Sequence, residues 1–384
     1  MIIYLPEIII KNDSCILQTV FEIDGKKDIL WYKIPLEYKD YLVVENLDAA
    51  LIGLLILAMK KKENIYLKGK VSSKLYYGLS NYLIRAIDLA YPEYESIEII
   101  PDSLSEVVFN NENITSTGVS CGIDSFATIA MHHGLESSYA IKYLTYFNAG
   151  SHGVYGGEIA NNIYNKRLLK VKDYARKVNL PLVLIESNIM EVIDVNFQSL
   201  HTLIHLSCVL SIQKLIRTYY YASSFRFDYY NIYGINSSWD ILILKLLETE
   251  STNFYSSASQ YTRFERTKIV ADYEPSYHFL DVCTDAQNSK KINCSKCEKC
   301  VRTQLTLELL GKLEAYDSVF EFDVYKKYRD RFISELLTDK NMNQTNKDLY
   351  RELRINKQIN FRHHVLNIVS SIKRKLYKLK KQIT

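Results

Sequence analysis

Apolar and polar positions follow two regimes along the chain. Over the first hundred or so residues, strand-like runs at Ile2–Leu5, Ile16–Ile23 and Ile29–Ile34 mix with two helical patterns, Leu47–Lys61 and Ser73–Leu89. Pro92 and Pro101 then punctuate the chain. This predicts an α+β domain over residues 1–110. From Ile114 short strands alternate with longer amphipathic helices: strands at Ile114–Val119, Ala140–Phe147, Leu182–Glu186 and Tyr219–Ala222, helices at Asp124–His133, Gly157–Lys177 and Leu200–Arg217. That alternation builds βαβ units around a parallel sheet, so residues 111–281 are predicted to form an α/β domain. Residues 282–384 hold a cysteine cluster, a helix at about Val301–Leu313 and charged helical segments. The last, His364–Lys381, places Val365, Ile368, Val369, Ile372, Leu376 and Leu379 on one helix face.

With 384 residues, 47% hydrophobic and 24% charged, the chain has the makings of a folded protein of more than one domain. The net charge of +4 hides an asymmetry, because nine Lys or Arg and no Asp or Glu follow Glu352. The body is mildly acidic and the tail basic. Such a tail suits RNA, a protein partner or an anionic membrane surface, or is simply a solvated helix end. The longest apolar run, Ala49–Met59, is about half the roughly 20 residues that cross a bilayer and reads as a buried helix. The start, MIIYLPEIII, lacks the basic and small-residue features of an export signal, so a cytoplasmic protein is expected.

Of seven cysteines, four crowd into one short window as Cys283-x10-Cys294-x2-Cys297-x2-Cys300. Four thiolates at this spacing reach one ion, and a tetrahedral Zn2+ suits them. The sphere would be closed and the role structural; an iron–sulfur cluster is the alternative. Lys290, Lys291, Lys296, Lys299 and Arg302 offset the negative charge or face a ligand. Cys15, Cys121 and Cys208 are left over.

The stretch Ser120-Cys121-Gly122-Ile123-Asp124-Ser125 lies between a predicted strand and a predicted helix, where helix amides favour an anion. Small residues let the backbone approach phosphate oxygens, hydroxyls add donors, and Asp124 either caps the helix or helps hold Mg2+. A plain capped turn is the other reading. If position 121 needs a positive φ, the Cys121 side chain strains the loop.

These six residues resemble the S-G-G-x-D-S loop of the PP-loop ATP pyrophosphatase superfamily, with Ser120, Gly122, Asp124 and Ser125 matching and Cys121 replacing a glycine. Together with the cysteine quartet, the loop looks like that of the 7-cyano-7-deazaguanine synthase family. The likeness covers roughly Ile114–Leu310. Arg266-Thr267-Lys268-Ile269-Val270 is similar to that family's K-x-E-I-V stretch, with Arg266 at its lysine position. The resemblance implies that the α/β domain is adenine nucleotide alpha hydrolase-like (PP-loop), flanked here by the α+β N-terminal domain and the helical, zinc-containing C-terminal region read from the residues. It also implies an ATP-dependent ligase that uses ATP, Mg2+ and Zn2+ and acts on a small carboxylate and an ammonia donor. Ser120–Ser125 would bind ATP, and Asp124 and Arg266 would act in catalysis. The loop glycine, the lysine and the chain length depart from the family pattern and leave the substrate open. Sulfur transfer to a nucleotide or RNA and a non-catalytic nucleotide-binding subunit are the rival functions, and a homodimer is a candidate assembly.

Further polar candidates are His132, His133, His152, His201, His205, Asp240 and Arg263. His201 and His205, four apart on a predicted helix, read as core or pocket-lining histidines before metal ligands. Gly150-Ser151-His152-Gly153 follows a strand end.

Overall fold

The computed structural model describes residues 1–109, 112–152, 157–234, 236–284 and 290–368. The chain is α/β. Its strands are β1 (Ile2–Tyr4), β2 (Glu7–Lys11), β3 (Ser14–Ile23), β4 (Lys26–Pro35), β5 (Ile65–Ser72), β6 (Ile99–Ser105), β7 (Ile114–Gly118), β8 (Ile141–Asn148), β9 (Leu182–Ser187), β10 (Ile216–Ala222) and β11 (Asn253–Ser257). Its helices are α1 (Asp48–Lys61), α2 (Ser73–Gly78), α3 (Ile84–Ala90), α4 (Ile123–His132), α5 (Glu158–Lys177), α6 (Ile189–Ile193), α7 (Phe197–Leu210), α8 (Asp240–Leu246), α9 (Arg263–Ala271), α10 (Glu298–Leu309), α11 (Phe322–Leu336) and α12 (Gln344–Ile355).

Contacts gather into two compact units, Met1–Ser120 with Met131–Gln260, and Cys121–Ala130 with the chain from Tyr261 onward. The first unit holds one 11-stranded sheet in the order β11-β10-β7-β8-β9-β4-β3-β1-β5-β6, with β2 paired to β3. From β11 to β9 every pairing is parallel. Within this parallel set the first strand, β7, is central. The chain adds β8 and β9 on one side, then crosses to add β10 and β11 on the other. The order therefore reverses between β7 and β10, and in such sheets ligands collect beyond the carboxyl ends of the strands at the reversal. The sheet does not stop at β9: Tyr32 and Lys33 of β4 pair antiparallel with Ser187 and Glu186, and the Lys33 ammonium lies 3.1 Å from Glu186. The strands of the first hundred residues thus belong to the same sheet as those after Ile114.

The strands pack a core that reaches from Met1 to Phe254, and α1 is buried almost all round, as its continuous apolar run requires. Asp48 is its one buried charge. The carboxylate accepts from the Ser72 amide and hydroxyl, Asn46 and Gln213, which ties α1 to β5 and to the segment after α7. Burial pushes its pKa up. The helical stretch expected at Ser73–Leu89 forms as α2, a π-type turn at Leu79–Leu83, and α3. The helix expected to run to Arg217 ends at Leu210, because Ile216–Tyr221 supplies the apolar residues of β10.

In the second unit α10, α11 and α12 bury a separate cluster built on Val301, Leu305, Tyr325, Ile333, Leu349 and Leu353. Among the described residues, no helix is long and apolar enough to cross a membrane. The predicted helix at His364–Lys381 is described only to residue 368, so its remainder lies outside the described residues.

Candidate functional site

Four residues link the end of β7 to the start of α4; they carry Ser120, Cys121 and Gly122, while Ile123, Asp124 and Ser125 form the first turn of the helix. Helix α4 opens with Phe126 N–H donating to the Gly122 carbonyl at 2.9 Å. Cys121 is buried and has φ +59°. This is the left-handed region that glycine occupies freely, and a side chain there costs about 1–2 kcal/mol. The strain condition set by the sequence is met. The Asp281 amide donates to the Cys121 carbonyl at 2.8 Å, which holds the loop in place.

Asp124, in the first turn of α4, is a hub of charge in the second unit. Its Oδ2 accepts from Arg263 at 2.5 Å and its Oδ1 from Arg266 at 2.6 Å. Both arginines lie in the first turn of α9. Thr262 starts that helix with a capping box: its hydroxyl accepts from the Glu265 amide, and the Glu265 carboxylate accepts from the Thr262 amide. The pattern T-x-x-E is legible in the sequence and fixes where α9 begins, so residues 263 and 266, three apart, emerge on one face. Arg266 is only 1% exposed and also donates from Nε to the Tyr261 carbonyl at 3.2 Å. Burial alone raises the Asp124 pKa, but the charges and hydrogen bonds of Arg263 and Arg266 outweigh it and hold the carboxyl below its ordinary value.

Two more cations act on this group from α10. Partial desolvation, then the charges of Arg263 and Arg302, lower the Lys299 pKa, while Asp124 and Cys297 oppose the shift. Desolvation, then Arg263, lower that of Arg302. Arg302 is oriented by Glu298 and by Asn346 of α12, each at 3.2 Å, and Asn346 donates back to Glu298 at 3.1 Å. Arg263 and Arg266 thus pair directly with Asp124, while Lys299 and Arg302, the latter already paired with Glu298, add positive charge within electrostatic range of it. A multiply charged anion relieves such crowding.

The four predicted cysteines converge. All Sγ atoms of Cys283, Cys294, Cys297 and Cys300 lie within 4.8 Å of one another, and those of Cys294 and Cys300 are 3.8 Å apart. Sulfurs about 2.3 Å from a tetrahedral zinc are about 3.8 Å from each other. A disulfide needs about 2 Å. The Cys294 amide points at Cys283 Sγ and the Cys297 amide at Cys294 Sγ, at 3.4 and 3.3 Å, the outer-shell donors that thiolate ligands favour. The buried Asn293 staples the knuckle: its amide donates to the Leu280 and Val319 carbonyls and its carbonyl accepts from the Val282 amide. The donor set fits one zinc ion with a closed sphere.

The remaining candidates fall in the first unit. His201 Nδ1 lies 2.6 Å from the Tyr221 hydroxyl, and burial lowers its pKa to about 4. Burial, then His201 and His152, lower that of His205 to about 3. Both imidazoles are neutral at physiological pH, and among the described residues no third ligand joins them to make a metal group. His152 lies 2.9 Å from the Tyr146 hydroxyl and 3.0 Å from that of Ser151. His132 lies against Tyr220 in a tilted arrangement, with ring centroids 3.9 Å apart. His133 has a pKa lowered by partial burial and by Lys142. Asp240, buried at the start of α8, accepts from Ser256 at 3.2 Å and meets the Ser223 hydroxyl at 3.4 Å. Residue Gly153 lies outside the described residues. Sequence reasoning missed Asp281, Tyr261 and Asn346, since partners supplied by backbone groups or by distant amides leave no local pattern.

Comparison with protein-family models, curated proteins and solved structures finds no match.

Proposed function

We propose that the chain is an ATP-dependent ligase that adenylates a carboxylate, releases pyrophosphate and transfers nitrogen to the activated carbon. The observation that carries this reading is the pairing of Arg263 and Arg266 with Asp124, a residue of the loop that resembles the pyrophosphatase loop, with Lys299 and Arg302 adding positive charge within electrostatic range. The position of that loop, directly after the strand at which the sheet order reverses, supports it independently.

The chemistry the nucleotide supplies is attack of a carboxylate oxygen on the α-phosphorus with cleavage of the α–β bond, followed by displacement of AMP by ammonia. The protein's task is positional and electrostatic. Arg263, Lys299 and Arg302 would receive the pyrophosphate charge, Arg266 would hold Asp124 in its rotamer, and small loop residues would let the backbone approach the phosphates. Magnesium at Asp124 would have to take the place of a guanidinium. The zinc would be held by Cys283, Cys294, Cys297 and Cys300 and, with its sphere closed, would set the geometry of α10 rather than activate water.

Incubation with ATP, magnesium, ammonia and carboxy-deazaguanine, then with a panel of other carboxylates, tests the reading. AMP and pyrophosphate in equal amounts are expected with at least one carboxylate; neither product with any of them would sink it. The double pairing of Asp124 favours one other reading, a non-catalytic nucleotide-binding subunit, for which tight ATP binding without AMP release is the expected result. Sulfur transfer gains nothing from the thiols: Cys121 and Cys208 are buried, and burial drives the Cys208 pKa up.

A further inference from the structure

After α12 a helix begins at residue 361 and is described to residue 368. Its inward face is fixed by polar contacts. His363, 1% exposed, sets Nε2 at 3.4 Å from Asp330, and Asn367 accepts from the Thr338 hydroxyl at 3.1 Å. Its outward face carries Phe361, Val365 and Ile368, which are 82%, 41% and 61% exposed. The spacing i, i+4, i+7 puts these three large apolar side chains in one row facing water. Exposed residues Arg362 and His364 flank the row on either side. The same period continues in the sequence through Ile372, Leu376 and Leu379, interleaved with Lys373, Arg374, Lys375, Lys378, Lys380 and Lys381.

We propose that this C-terminal segment docks on the surface of an anionic lipid bilayer. Phe361, Val365 and Ile368 would enter the boundary between headgroups and acyl chains while the lysines and arginines meet lipid phosphates. Each half of the pattern narrows the occupant. A second copy could cover the apolar row, but it would bring together two tails with nine basic and no acidic residues each after Glu352. RNA would satisfy the charges and leave Phe361 and Ile368 in water. A protein groove that wraps a helix needs more than one free face, whereas His363 and Asn367 already commit the inner face here. A flat, anionic, partly apolar surface needs only the outer one.

Sedimentation of the full chain with vesicles tests this. Binding is expected to vesicles of phosphatidylcholine mixed with phosphatidylglycerol, absent from phosphatidylcholine alone, and weakened by salt. The variant F361S/V365S/I368S should partition at least about tenfold more weakly, given the apolar area withdrawn. Its thermal unfolding should be unchanged, since all three side chains face solvent. K373Q/R374Q/K375Q should also lose binding. No pelleting of the wild type with anionic vesicles would overturn the proposal, as would undiminished binding of the triple apolar variant. A wild-type dimer that the triple variant converts to monomer would assign the face to a second copy instead. Capture of single-stranded RNA that competes with vesicles and ignores Phe361 would assign the tail to nucleic acid.

Discussion

Replacing Arg266 by Met removes the buried guanidinium that bonds Asp124 while keeping most of the apolar stem. At a charge separation of about 4 Å and an effective dielectric of about 20, the pair is worth about 4 kcal/mol of Coulomb energy. Desolvation of Arg266 offsets part of this. So does solvent screening at Asp124, whose side chain stays 22% exposed. A coupling of about 2 kcal/mol should remain, about thirtyfold in an equilibrium constant. Arg266→Met and Asp124→Asn should each destabilise the second unit by about 3 kcal/mol, because each leaves charge unpaired. The double variant should cost about 2 kcal/mol less than their sum. Trp31 and Trp239 lie in the first unit, so the assay is urea unfolding followed by zinc release to a chromophoric chelator. The pH dependence adds a second signature. The Asp124 pKa is lowered in the folded state, so its stabilisation is fully present above the unfolded value near about 3.9 and is lost as pH falls through the lower folded one. Arg266→Met raises the folded pKa, so the gap between wild type and variant should shrink on acidification below about pH 4. Additivity of the two substitutions within about 0.5 kcal/mol, or a gap that does not change with acid, would refute the charge hub.

The purified chain should carry one zinc by elemental analysis, and Cys300→Ser should release it and expose α10 to proteolysis; iron with visible charge-transfer bands would contradict the metal assignment. Gly78→Ala should destabilise by several kcal/mol, although alanine ordinarily improves a helix by about 1 kcal/mol, because its Cβ would lie 2.2 Å from the Leu246 carbonyl oxygen; a thermal melt showing stabilisation would contradict the packing of α2. His201 and His205, with pKa values lowered to about 4 and about 3, should not titrate between pH 5 and 8 by imidazole NMR. Since the unfolded histidines protonate near about 6.5, stability should fall as pH drops from there toward the folded values, and a histidine signal titrating near 6.5 from either residue would contradict their burial.

The alternation after Ile114 was legible because parallel strands buried on both faces read as short apolar runs, and each has a helix to cover it. Other strands hid for local reasons. In β5 the alternation of Ile65, Leu67 and Val71 is broken by Gly69, in β6 Pro101 looks like a turn, and β11 buries little apolar side chain beyond Phe254. The merging of the two halves into one sheet through Tyr32 and Lys33 depends on pairing across about 150 residues, which no local pattern encodes. At the site, the cysteine spacing alone identified all four thiols that converge, since nearby ligands need little fold to meet. The partners of Asp124 lie about 140 residues on, and only the capping box at Thr262 hints at how Arg263 and Arg266 are presented. Cys121 shows the limit from the other side: the sequence posed the question of φ, and only the backbone answers it.

The proposed ATP chemistry sits at the loop that holds Asp124. Phosphorus NMR of ATP turnover by the full chain, with magnesium, ammonia and a carboxylate panel, measures it most directly. AMP and pyrophosphate should appear in equal amounts, with Arg263→Met and Asp124→Asn each slowing their release at least about a hundredfold. Turnover to ADP and phosphate, or AMP release that ignores both substitutions, would contradict it.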